Sequence, residues 1–163
     1  MRIVEMLQGE FTNEAAQTRK VLERIPFDKV DYKPHEKSMT LGKLAGHVAD
    51  LTGWTGLVMT ATELDLGGGY VTPPFSSIEE LLSMFDTHVE ATKAALMAAN
   101  DEELGVNWTL RAGSHVIMTM PRGQIVRGMC FNHIVHHRGQ LTVYLRLIGV
   151  PVPGLYGPSA DEM

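Results

Sequence analysis

A chain of 163 residues is long enough to form one domain with a real core and no covalent staples. With 44% hydrophobic and 20% charged residues it has a globular composition, and its net charge of −5 without a Lys/Arg stripe excludes nucleic acid as an expected partner. The single Cys130 excludes an internal disulfide, no run nears the roughly 20 apolar residues of a membrane span, and Arg2, Glu5, Gln8 and Glu10 interrupt any signal-peptide core, so a soluble cytoplasmic protein is expected.

Ile3, Leu7, Phe11, Ala15, Thr18, Leu22 and Ile25 recur at helical spacing and predict a first helix from Ile3 to Ile25, ended by Pro26. A polar connector from Phe27 to Ser38 follows, broken at Pro34. Thr40 is an N-cap for a second helix reaching about Leu64, with Leu44, His47, Val48, Leu51, Trp54, Thr55 and Val58 as its buried stripe. The loop from Gly67 to Pro74 is too rich in Gly and Pro for regular structure. Its Gly triplet lacks the Lys-Ser/Thr pair and preceding strand of a phosphate cradle.

Ser77 and Glu80 spell a capping box, opening a third helix that runs to about Ala99 and buries Leu81, Met84, Phe85, Val89, Thr92 and Leu96. From Asn107 to Met120, Trp108, Leu110, Val116, Met118 and Met120 alternate with other residues around Gly113, as in a short hairpin or an extended excursion. Pro121 suits the first position of a fourth helix, which runs to about Ile148 and stops at Gly149. The tail from Val150 to Pro158 cannot be helical and should lie extended over the surface. Four amphipathic helices with one longer crossover predict an all-α protein, a four-helix bundle.

The fourth helix carries His133 and His137. Residues four apart differ by about 40° in direction and about 6 Å in height, so both imidazoles leave one face. Met129, Leu141, Tyr144 and Ile148 share that face, which therefore turns inward. Buried imidazoles need partners for their ring nitrogens, and an apolar stripe offers few. A divalent cation meets that need, because neutral imidazole is its commonest ligand. On the second helix His47 stands between Leu44 and Leu51, where a core leucine would be expected. His47, His133 and His137 are thus the candidate ligands of an open metal site.

His136 points about a quarter turn away from the pair and is read as a neighbouring or surface residue. His35, His88 and His115 lack comparable spacing, and Cys130, one turn before His133, reads as a small buried hydrophobe rather than a thiolate ligand. Ile134 stands where zinc proteases of the His-Glu-x-x-His type carry their base, which excludes that chemistry.

Two blocks carry a family resemblance: Asn132-His133-Ile134-Val135-His136-His137-Arg138-Gly139-Gln140-Leu141 with Tyr144-Leu145-Arg146, and the tail Gly154-Leu155-Tyr156-Gly157-Pro158-Ser159-Ala160-Asp161-Glu162. Together with Gly46-His47-Val48 they resemble the damage-inducible DinB-like metalloproteins, a helical-bundle family unrelated to the polymerase of the same name. The resemblance spans essentially the whole chain. It implies an up-down-down-up bundle, a homodimer, and a metal triad falling on His47, His133 and His137. It also implies kinship with bacillithiol- or mycothiol-dependent S-transferases and a mycothiol-dependent maleylpyruvate isomerase.

Three neutral imidazoles leave the ion's charge intact and one or two positions open. Such an ion deprotonates a coordinating thiol, so S-transfer between a small thiol and an electrophile is the expected chemistry. Gln140 and Asp50 are candidates to orient the imidazoles, and Arg138 to meet a carboxylate on the thiol or substrate; Arg138 and Gln140 are thus the expected cofactor contacts. Zinc is the default metal, with nickel, iron, manganese and copper also suited to such a site. Metal-assisted hydrolysis and a non-catalytic metal-binding role are the alternatives, the first lacking an evident base beside the triad.

Overall fold

The computed structural model describes residues 1–162. The first apolar stripe forms helix α1 (Ile3–Leu22), burying Val4, Leu7, Phe11, Ala15 and Leu22. The helical ladder stops at Leu22, three residues before the predicted end, and a turn carries buried Ile25 to Pro26. A residue preceding proline is disfavoured in helical geometry, which explains the early stop.

Thr40 caps helix α2 (Leu41–Thr60), its hydroxyl accepting from the Lys43 N–H at 3.2 Å. This helix is buried nearly all round, with Leu44, Val48, Leu51, Trp54 and Val58 among its inward residues. It ends at Thr60 rather than Leu64. Residues Glu63–Asp65 instead form strand β1, and the Thr62 carbonyl accepts from the Thr109 N–H. Pairing with a distant strand overrides the local helical pattern there.

Helix α3 (Ile78–Ala98) opens with Ser77 accepting from the Glu80 N–H at 3.2 Å. The Glu80 carboxylate reaches back to the N–H and hydroxyl of Ser76, one residue earlier than a reciprocal capping box would place it. Next, β2 (Asn107–Ala112) and β3 (His115–Pro121) form the antiparallel hairpin foreseen in outline, turning at Gly113 with a φ of +60°. Because β1 adds to β2 in parallel, the result is a three-stranded sheet in the order β1-β2-β3. The protein is therefore mostly helical rather than all-α.

Pro121 closes β3 and precedes the first turn of the last helical rod, instead of occupying its first helical position. That rod comprises α4 (Arg122–Gln124), a π-helical segment (Ile125–Phe131) and α5 (Asn132–Leu147). Its buried residues trace the change of pitch. Ile125, Val126, Cys130 and Phe131 recur at a spacing of five, whereas Ile134, Leu141 and Leu145 follow α-helical spacing.

Helices α1 and α2 each pack against α3 and α5 and lie diagonally across the bundle from one another. The tail after Gly149 has no regular structure, but Val152 and Leu155 rest on the core and Pro153 is buried.

Candidate metal centre

The close packing of α2 against α5 sets His47 opposite His133 and His137. The three ring centroids are 4.7 to 5.2 Å apart. Each residue offers a ligand atom within 4.8 Å of the other two, and all three side chains are half-buried. A divalent ion bound by imidazole nitrogens at about 2.0–2.1 Å brings tetrahedral donors to about 3.4 Å from one another. Three imidazole nitrogens converging to within 4.8 Å are the donor type a divalent ion takes and stand near the spacing it needs, so the donor set fits a metal in chemistry and approximate size.

Protonation points the same way. Burial, with the adjoining His137 and His133 rings, pushes His47 down to about 4. Burial also lowers His133 and His137, with neighbouring histidines adding repulsion. Near pH 7 the rings are consequently neutral and present lone pairs.

His137 Nδ1 donates to Gln140 Oε1 at 2.7 Å, which leaves Nε2 as the free lone pair. Gln140 itself is exposed, one turn along α5. Asp50 lies one turn after His47 and is only 5% exposed, but its carboxylate accepts from the Tyr70 hydroxyl at 2.5 Å. The Trp54 indole N–H donates to the same hydroxyl at 3.2 Å.

Arg138 is placed differently from expectation. It is 1% exposed and faces α1, where it pairs with Glu14 at 2.7 Å and donates to Thr18 and to the Tyr156 hydroxyl. A 100° turn per residue separates it from His137. With its guanidinium engaged inside the bundle, it is not presented to a ligand at the triad.

Cys130 is fully buried outside the cluster, and burial pushes its thiol up to about 12, so it stays protonated. His136 is exposed beside His137, with ring centroids 4.9 Å apart, but is not part of the converging set. His88 Nδ1 donates to the Ala49 carbonyl, and His35 Nδ1 accepts from the Lys37 N–H. Both have ordinary structural partners.

His47 also borders a cleft of about 660 Å³ between the start of α2, the connector after α1 and the loop before α3. Gly46 permits this arrangement: a Cβ there would meet Phe75 at 3.3 Å and Thr72 at 3.4 Å. Phe27, Lys43, Tyr70 and Phe75 line the cleft and escaped the sequence reading. For Tyr70 and the adjoining Phe75 the signal was the Gly/Pro-rich composition of a loop too long to be a mere turn; Phe27 and Lys43 lie outside that loop and had none.

The DinB family profile matches residues 4–163. The chain is 27% identical over 150 residues to the uncharacterized protein YrdA of Bacillus subtilis, covering 91% of this chain and 85% of that protein. It is likewise 27% identical over 148 residues to the uncharacterized protein YjoA of the same species, covering 86% and 88%. In structure it is similar to a DinB-like protein of Bacillus cereus, with a TM-score of 0.72 and 23% identity over 93% of this chain and 97% of that one. Crystalline YjoA gives the same TM-score of 0.72 at 21% identity, covering 94% and 98% of the two chains. At these identities the structural likeness establishes the fold.

Proposed function

The chain belongs to the DinB family, and from that premise we propose that it holds one divalent metal ion through His47, His133 and His137 and uses it for S-transfer from a low-molecular-weight thiol. The observation that carries this reading is the convergence of three imidazoles, from two helices, within 4.8 Å. His47, His133 and His137 would hold the ion, whose Lewis acidity would favour loss of a coordinated thiol's proton to solvent near neutral pH.

The protein's own residues do the positioning. Gln140 fixes the His137 tautomer, α2 and α5 hold the rings in register, and the cleft beside His47 admits an organic substrate. Among the described residues no carboxylate or thiolate joins the three histidines, which would keep a bound ion's acidity high. Zinc is the metal proposed, with nickel, iron and manganese as competitors for the same donors. Hydrolysis is less well supported, because the carboxylate one turn beyond His47, Asp50, is occupied by Tyr70.

The test is consumption of bacillithiol, mycothiol or glutathione with a model electrophile, using zinc-loaded protein and His133→Ala as control. Metal-dependent thiol consumption that disappears in the variant is expected. No consumption with any thiol or metal would overturn the transferase reading.

A further inference from the structure

The cleft beside His47 has a shape and lining that identify a class of ligand. Its volume of about 660 Å³ lies within the roughly 300–1,000 Å³ of small-molecule sites. Phe27, Val30, Met39, Val71 and Phe75 give it largely apolar walls. Those walls are braced on both sides. Phe27 meets Phe75 edge to face at 6.3 Å, joining connector to loop, and Tyr70 ties the loop to Asp50 and Trp54 on α2.

Lys43 reaches the cleft from α2 and is in no ion pair among the described residues. It precedes His47 by four residues, on the same helix face and about 6 Å away along the axis. Asp31 also lines the cleft, from the connector, whose Val30 and Tyr32 carbonyls accept from the Gly42 and Leu41 N–H groups at the start of α2. Lys43 is thus the one lysine or arginine that lines the cleft, and no carboxylate holds it in an ion pair among the described residues.

We propose that this cleft binds an organic anion with an aromatic or branched apolar body, its carboxylate or sulfonate meeting Lys43 and its reacting end directed at the triad. The last clause rests on the metal-centre reading; the binding of the apolar body and the anionic group does not. An apolar body removes the walls from water, while Lys43 supplies orientation through one charge-assisted contact. A ligand held this way is fixed at two points.

The experiment is calorimetric titration with naphthaleneacetate, naphthaleneethanol and naphthaleneethylamine, three probes of one body and different charge. Chelator-treated and zinc-loaded protein are compared, so uptake of zinc is scored separately from probe binding. Naphthaleneacetate is expected to bind tightest, even without metal. Lys43→Gln should weaken it about threefold to fivefold and leave the alcohol unchanged. Phe75→Ala should weaken all three probes about tenfold. Equal affinity for the three probes, tightest binding of the amine, no binding at all, or indifference to both substitutions would overturn the proposal. Protein that takes up no zinc yet still binds naphthaleneacetate through Lys43 would overturn the metal reading and leave this one standing.

Discussion

A neutral His47 is what burial beside two other imidazoles requires, and its consequence can be measured. In the metal-free protein its pKa is held at about 4, below the ordinary value of 6.5. Between those values the unfolded chain binds more protons than the folded one, so stability rises with pH across that window. Stability of the metal-free protein should therefore be complete above about pH 6.5 and fall as the pH drops toward 4, as read by urea midpoints at successive pH values. Metal should be released over the same acid range, since protons compete for the same nitrogens. At Gln140 the expectation is narrower. Gln140→Ala should weaken metal affinity about 10- to 100-fold with little change in stability, measured by chelator competition. The three histidines that converge were legible, because an i, i+4 pair and a histidine in a leucine position are local patterns. The role of Arg138 was not, since its partner Glu14 lies on another helix and only the fold reveals which way the guanidinium turns.

Tertiary partners decide the element boundaries that local pattern missed. Helix α2 yields to β1 because β2 offers backbone hydrogen bonds from more than 40 residues away. The π-helical segment was in principle readable, since Ile125/Cys130 and Val126/Phe131 are pairs five apart, but a continuous α-helical stripe overlaps them. The C-terminal tail is an element only through its anchors. Tyr156 donates to Glu14 at 2.7 Å, Glu14 pairs with Arg138, and Asp161 pairs with Arg146 at 2.7 Å. Glu14→Ala would leave the buried guanidinium without its carboxylate, so a loss of about 3–5 kcal/mol is expected in denaturant unfolding. In the loop before α3, Tyr70→Phe strands the buried Asp50 carboxylate. A loss of about 1–3 kcal/mol and faster proteolysis of that loop should follow.

At the scale of the whole molecule, four helical rods and a small sheet place one half-buried triad at the margin of one apolar cleft. The bundle was legible from helix count, spacing and punctuation; the sheet was only half legible, because its parallel strand β1 is three residues long and sits where a helix was predicted. No helix among the described residues is long and apolar enough to cross a membrane. The homodimer implied by family resemblance is a proposal that sedimentation would check, with twice the mass of one chain as the expected result. The central claim is the metal centre, and elemental mass spectrometry of tag-free protein tests it most directly, beside His47→Ala and His133→Ala. The account predicts close to one equivalent of divalent metal per native chain and loss of that metal in both variants. A native protein without metal that takes none up when zinc, nickel, iron or manganese is offered would contradict it.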